Sequence, residues 1–180
     1  QLGSDLSGDI NNGIFGVVVS MNNDGTIVAV GAPNSNSNAG LVKIYQYSSS
    51  WVQLGSDING SSNNQNFGSK ISINGDGTIF AASAPNACGT AQGLVRVYKK
   101  LSITTSGTAN TGNGITVNIS SLAHALSSGD IIKFSNGAIL TLTSSASLSA
   151  TSLTGDLTTQ NLTSGLEGNT WIQLGSDING

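Results

Sequence analysis

The side chains in this sequence that could act on a substrate are few and scattered. Cys88 is the only cysteine and His124 the only histidine. A thiol nucleophile needs a base beside it. Cys88 stands in the loop signal Ala-Pro-Asn-Ala-Cys-Gly, His124 belongs to a different module, and no second cysteine offers a disulfide. Cys88 therefore reads as an incidental thiol. His124 has no acidic or cysteine neighbour at metal-ligand spacing and reads as a structural or surface residue. Asp130, after Gly129, reads as a turn residue at a strand start. Asp24 in Met21-Asn22-Asn23-Asp24-Gly25-Thr26 and Asp76 in Ile73-Asn74-Gly75-Asp76-Gly77-Thr78 are the only candidates for a cation. Calcium takes about six to eight oxygens, usually with several carboxylates, and each loop supplies one. A plain hairpin turn is expected at both, with calcium the lesser reading and no other cofactor. No nucleophile–base pair, phosphate-binding glycine loop or pair of carboxylates falls within one motif, so no catalytic residue is expected.

Trp51, Trp171, Tyr45 and Tyr98 carry a different chemistry, since exposed aromatic rings stack on sugars. They occupy equivalent places in a repeat, which favours packing. Asp5, Asp57 and Asp177 likewise recur in one place, and recurrence favours a scaffold role over a site where different groups converge once. Asn59-Gly60-Ser61, Asn118-Ile119-Ser120 and Asn161-Leu162-Thr163 match the glycosylation sequon, as chance allows in a chain so rich in Asn, Ser and Thr.

Composition excludes several functions. Charged residues make up 8% of the 180 residues, against about 25% in an ordinary domain. The polar surface is thus mostly hydroxyl and amide. Net charge is −3 with a single arginine, Arg96, so nothing matches a run of phosphates and no nucleic-acid partner is expected. No apolar run approaches the roughly 20 residues of a membrane-spanning helix, and no membrane insertion is expected. The sequence begins without a Met or a signal-peptide pattern, so either processing removed it or the chain is a piece of a longer one.

The elements that position these residues are repeats. Gln1-Leu2-Gly3-Ser4-Asp5 recurs at Gln53 to Asp57 and at Gln173 to Asp177. Phe15-Gly16 recurs as Phe67-Gly68, Asp24-Gly25-Thr26-Ile27 as Asp76-Gly77-Thr78-Ile79, and Gly31-Ala32-Pro33-Asn34 as Ser83-Ala84-Pro85-Asn86, all offset by 52 residues. Gly40-Leu41-Val42-Lys43-Ile44-Tyr45 recurs as Gly93-Leu94-Val95-Arg96-Val97-Tyr98 with an offset of 53, so the loop before it gained a residue, as surface loops tolerate.

Each copy reads as four strands. In the second copy these are Trp51 to Leu54, the alternating stretch Ser69 to Ile73, the apolar run Ile79 to Ala84, and Gly93 to Tyr98. Asn74-Gly75-Asp76-Gly77 makes the tight turn, since Asp-Gly suits positive φ, and Pro85 ends the third strand. Ile27 to Ala32 and Ile79 to Ala84 are expected to be covered on both faces. The expected fold is all-β: tandem four-stranded propeller-type blades (an incomplete propeller) with an inserted small β-domain.

Phe15-Gly16 with Gly31-Ala32-Pro33, and Phe67-Gly68 with Ser83-Ala84-Pro85, resemble the FG-GAP repeat of integrin α-chain propellers. The wider pattern resembles repeat arrays in marine bacterial surface proteins and in viruses of marine microbes. The resemblance covers roughly residues 1–100 and 170–180. It implies blade packing by Phe15, Gly16, Gly31, Ala32, Pro33, Phe67, Gly68, Ala84, Pro85, Trp51 and Trp171. The single carboxylate of each loop departs from the family's calcium-binding blades.

The domains expected are two repeats over 1–100 (about 1–52 and 53–100), an inserted β-module over 101–168, and a closing strand with the start of a third repeat over 169–180. Trp171 follows Trp51 by 120 residues where one repeat accounts for 53, which leaves an insertion of 67. The inserted stretch alternates at Ile115 to Ile119, and Ser135-Asn136-Gly137-Ala138 marks a hairpin between Ile131–Phe134 and Ile139–Thr143. It resembles, more loosely, small β-domains of phage tail and fibre proteins. At this size it is expected to lean on the repeats.

These readings point to a non-catalytic structural or adhesive repeat protein of a cell surface, extracellular fibre or virion. The alternative is a carbohydrate-binding module of a larger extracellular protein. The partners expected are further copies of the chain or further repeats of its parent, with surface glycans next. Two repeats cannot enclose a propeller channel. Either the chain is a fragment of a longer array, several copies close a ring, or copies join end to end, in which case the terminal Trp171-Ile172-Gln173-Leu174-Gly175 strand is expected to complete the first repeat of the next unit by strand addition.

Overall fold

Asp24-Gly25 and Asp76-Gly77 each reverse the chain between two strands, with Gly25 and Gly77 at φ +74° and +73°, where a Cβ would be strained. These hairpins set the pattern of the computed structural model, which describes residues 1–8, 13–87, 92–119, 125–126, 128–134, 136, 138–147, 150–158, 160–163 and 166–179. Cys88 and His124 lie outside the described residues.

The chain divides into two units, Gln1–Lys99 with Gln173–Gly180, and Lys100–Ile172. In the first unit, β1 (Val18–Met21), β2 (Ile27–Ala32), β3 (Leu41–Tyr47) and β4 (Trp51–Gln53) form an antiparallel sheet in sequence order, with β5 (Ile58–Asn59) paired to β3 beside β4. The second repeat follows the same plan with β6 (Lys70–Ile73), β7 (Ile79–Ala84) and β8 (Leu94–Thr104). The registers correspond: Val18 faces Gly31 as Lys70 faces Ser83, and Ala32 faces Leu41 as Ala84 faces Leu94. β6 packs against β1 and β2, so the two repeats lie face to face.

The all-β expectation holds, but the propeller-blade expectation does not: both sheets are open and neither closes into a barrel or propeller. The physical reason is that a ring needs each repeat covered on both sides. Here the second repeat covers one side of the first, and Leu6, Phe15 and Trp51 pack on Val28, Val30 and Tyr45, whereas one side of β7 in the second repeat stays half-buried. The burial of the two long apolar strands records this. All of β2 is buried, whereas β7 alternates between half-buried and buried residues. β7 was expected to be covered twice and is covered once.

In the second unit, β9 (Gly112–Asn118), β10 (Ile131–Phe134), β11 (Ile139–Leu142), β12 (Ser152–Thr158) and β13 (Glu167–Gln173) make an antiparallel sheet ordered β13-β10-β11-β12-β9. The β10–β11 hairpin pairs Ile132 with Leu140. The unit has a core of its own, with Ile103, Val117, Ile132, Leu140, Leu153, Leu157 and Leu162 almost fully buried. Apolar residues alternate along β10, β11 and β12 because one face of each strand meets that core. Thr105 is buried at its rim: its Oγ1 donates to Thr163 O at 2.6 Å and accepts from Leu166 N at 2.9 Å.

Candidate functional site: the seam between repeats

The recurring Gln-Leu-Gly-Ser-Asp segment is a clasp. Its glycine sits at positive φ in all three copies, between +70° and +78° at Gly3, Gly55 and Gly175, which curls the segment. The Gln Nε2 then donates to the Asp Oδ1: 2.7 Å from Gln1 to Asp5, 2.7 Å from Gln53 to Asp57, and 2.8 Å from Gln173 to Asp177. In two copies the Asp also meets the cation on the third strand of the preceding repeat. Lys43 Nζ lies 3.5 Å from Asp57 Oδ2. Arg96 grips Asp177 at two points, Nε to Oδ1 at 2.9 Å and Nη2 to Oδ2 at 3.0 Å. The Arg96 guanidinium, with help from Gln173, holds the Asp177 carboxyl below the usual carboxylate range, and Asp177 raises Arg96 in turn.

After each clasp a short strand seals the repeat. β5 pairs Ile58 with Val42, and β14 (Ile178–Asn179) pairs Ile178 with Val95. Leu54 N and Leu174 N donate to Ile44 O and Val97 O, each at 2.7 Å. The terminal segment expected to serve a neighbouring unit is thus used on β8 of its own chain.

The seam itself is built on missing side chains. A Cβ at Gly31 would lie 2.3 Å from Gly68 O, and one at Gly40 would lie 2.2 Å from Phe67 O. Phe67 N donates to Ala39 O at 3.0 Å, and Ile73 N donates to Ser20 Oγ at 3.1 Å. Amides tie the rest without ions. Asn66 Nδ2 donates to Pro33 O and Asn34 Oδ1 at 3.2 and 3.3 Å, Asn36 Nδ2 to Asn59 Oδ1 at 2.8 Å, and Asn86 Nδ2 to Asn66 Oδ1 at 2.7 Å.

Phe67 is fully buried beneath Arg96, whose Cζ lies 5.7 Å from the ring centroid, and Arg96 Nη2 also donates to Ser61 Oγ at 2.8 Å. At the equivalent place in the first repeat, Phe15 stays half-buried, and Gly8, Phe15, Ala32, Ser35, Leu41, Lys43 and Asp57 line a small cavity of about 50 Å³. Ala84, like Ala32, is buried, whereas Pro33 is buried and Pro85 exposed. Trp51 is half-buried; its Nε1 donates to Leu2 O at 2.8 Å and its ring meets Tyr47 edge-on at 5.2 Å. Trp171, Tyr45 and Tyr98 are buried.

Asp24 and Asp76 lock their hairpins. Asp24 Oδ1 accepts from Thr26 N at 2.9 Å and Thr26 Oγ1 at 2.5 Å; Asp76 Oδ1 accepts from Thr78 N at 3.0 Å and Thr78 Oγ1 at 2.6 Å. The threonine hydroxyls hold both carboxyls below their ordinary range. These loops do not fit calcium, because donors converge on the lone carboxylate where the ion would need further oxygens. Among the described residues no three of His, Cys, Asp and Glu group as metal ligands, and no helix is long and apolar enough to cross a membrane.

The sequence pointed to Phe67, Gly68 and Gly31, which the seam brings together, and to the three aspartates, of which Asp57 and Asp177 meet Lys43 and Arg96 while Asp5 bonds Gln1. It missed Lys43, Arg96, Gln53 and Gln173. A signal existed: a cation at one repeat position, and a Gln four residues before each Asp. A scan against protein-family models finds no match, and a search of curated proteins finds none either. With the open sheets, this corrects the FG-GAP assignment and leaves the virion expectation without support.

Proposed function

We propose that this is a non-catalytic structural repeat protein of a cell surface or extracellular fibre, whose stacked repeats carry the Lys100–Ile172 unit as an adhesive module. The observation that carries the reading is where the polar chemistry is spent. Arg96, Lys43, Asp57 and Asp177 close clasps and Asn66 binds repeat to repeat, and the clasp recurs instead of converging once. A hydroxyl- and amide-rich surface of low charge suits a displayed scaffold. The carbohydrate-binding alternative has less to stand on, because Trp171, Tyr45 and Tyr98 are buried and the Trp51 N–H is engaged.

Antibodies against Lys100–Ile172 test the location. They should label intact, unpermeabilised producing cells or the fibres shed from them. Labelling that appears only after permeabilisation overturns the reading. Binding of one defined glycan by the purified chain, lost when the Tyr47–Trp51 pair is removed, would establish the alternative instead.

A further inference from the structure

The internal seam shows how one repeat receives another. Residues Asn66–Gly68 enter a socket on the first repeat formed by Gly31, Pro33, Ala39, Gly40, Leu41 and Val42, with Gly40 and Phe67 bridged in parallel. The second repeat carries the same socket at the equivalent residues, Ser83, Pro85, Gln92, Gly93, Leu94 and Val95. There it is an open groove of about 310 Å³.

The entering face is also present twice. In the second repeat, Ile71 and Ile73 are half-buried by their docking on the first. Their equivalents Val19 and Met21 are 62% and 54% exposed, beside Ile14 and Val17 at 49% and 56%. A Cβ at Gly68 would meet Leu41 O at 2.7 Å, whereas one at Gly16 would meet nothing within 4 Å. The first repeat thus exposes a plug-like face and the second an open socket-like groove, at positions equivalent to a pair already joined inside the chain.

Several residues differ: Ile14 stands for Asn66 and lacks its amide bonds to Pro33 and Asn34, Gln92 stands for Ala39, and Ser83 stands for Gly31. Gly31 must lack a side chain because the incoming carbonyl lies 2.3 Å from where its Cβ would be. Ser83 stands at that position in the second repeat, with a Cβ and a hydroxyl in the carbonyl's path.

We infer that copies of this chain associate head to tail, Ile14–Met21 of one entering the groove of the next that Ser83, Pro85, Gln92, Gly93, Leu94 and Val95 line, and that Ser83 holds this association weak. The occupant is a second copy because Phe15-Gly16 with Val19 and Met21, and Pro85 with Gly93, Leu94 and Val95, stand at the positions that the internal seam joins. Such a contact is heterologous, so it adds copies in an open series and does not close as a dimer. The inference rests on the structural role proposed above and says how its units would join.

Sedimentation of the full chain over a range of concentrations tests it. Ser83→Gly should tighten self-association about tenfold over the natural chain, the gain expected from relieving one overpacked contact, with larger species appearing as concentration rises. Adding Val19→Asp, a change at a solvent-facing position, should abolish the gain while the circular dichroism spectrum stays unchanged. The inference is overturned if Ser83→Gly sediments like the natural chain, or if association survives Val19→Asp. The two proposals fail separately. An intracellular protein that still answers to Ser83→Gly loses only the surface role, and a surface protein that does not answer loses only this one.

Discussion

The two repeats have the same strands in the same register, yet the first is buried where the second is open and open where the second is buried. β2 is covered along its whole length and β7 is not; Phe67 is sealed and Phe15 is half-sealed. The sequence differences between the copies follow this asymmetry. Glycine stands at position 31, where a carbonyl presses in, and serine at 83, where nothing does. Arginine stands at position 96, over a buried ring and a clasped carboxylate, and lysine at 43, 3.5 Å from Asp57. Position in the stack, more than strand pattern, decides how much each motif residue contributes, as in other linear repeat proteins.

Glycine substitutions should break the comparison most strongly. Gly68 and Gly16 have nearly equal φ, +86° and +88°, so the backbone strain of an alanine cancels between them. Gly68→Ala should therefore cost about 1–3 kcal/mol more than Gly16→Ala, the added cost being the overpacked seam. Urea denaturation of the two variants measures the difference, and equal losses would mean that the seam is not tight.

The cations come next. Arg96→Met should cost about 1–2 kcal/mol, the two charge-assisted bonds to Asp177 being discounted for the partial exposure of that carboxylate. Lys43→Met should cost less at this clasp, since Lys43 meets Asp57 at 3.5 Å and without the two-point grip of Arg96. Hydrogen exchange at Ile178 should quicken in Arg96→Met and stay unchanged in Lys43→Met.

Acid should sharpen the same contrast. The Asp177 carboxyl is held below its ordinary value of 3.8 by Arg96. Its contribution is complete at pH above that value and is lost as pH falls through the lowered one. Thermal melts from about pH 6 down to about pH 2.5 should show stability falling only below roughly pH 4, and falling less steeply in Arg96→Met. Asp24 and Asp76 add to the same acid loss in either protein, because their carboxyls are lowered by threonine.

The smallest effect belongs to the hairpins, where the repeats are alike. Asp24→Asn and Asp76→Asn should lower the melting temperature slightly and by similar amounts, and millimolar calcium should leave the melting temperature of the natural chain unchanged. A calcium-dependent rise abolished by either variant would reverse the assignment of these loops.

The local parts of this fold were legible in the sequence because they are written in short range. Asp-Gly turns placed the β1–β2 and β6–β7 hairpins, and alternation placed β10 and β11. The offset between copies gave the registers. What the sequence did not disclose depends on distance. Nothing near Arg96 announces Asp177, 81 residues on, and nothing in Ile79 to Ala84 tells a strand covered twice from one covered once. The propeller expectation failed for that reason: it took the burial of β2 as a property of the motif, when it belongs to the neighbour that covers it.

The Arg96–Asp177 clasp also has a kinetic side. Its counterpart in the first repeat joins Lys43 to Asp57, a loop of ordinary length, and can form as soon as that stretch of chain is free to fold. The second clasp must close over 81 residues, which for an unstructured loop costs roughly 1.5 kcal/mol more in chain entropy. Folding of Lys100–Ile172 removes most of that cost. Ser102 Oγ and Asn169 Oδ1 come to 2.9 Å, so the two ends of the long loop are delivered side by side. The second repeat therefore matures last, and a lesion in the core of the inserted unit should be felt first as slow closure of a clasp it never touches.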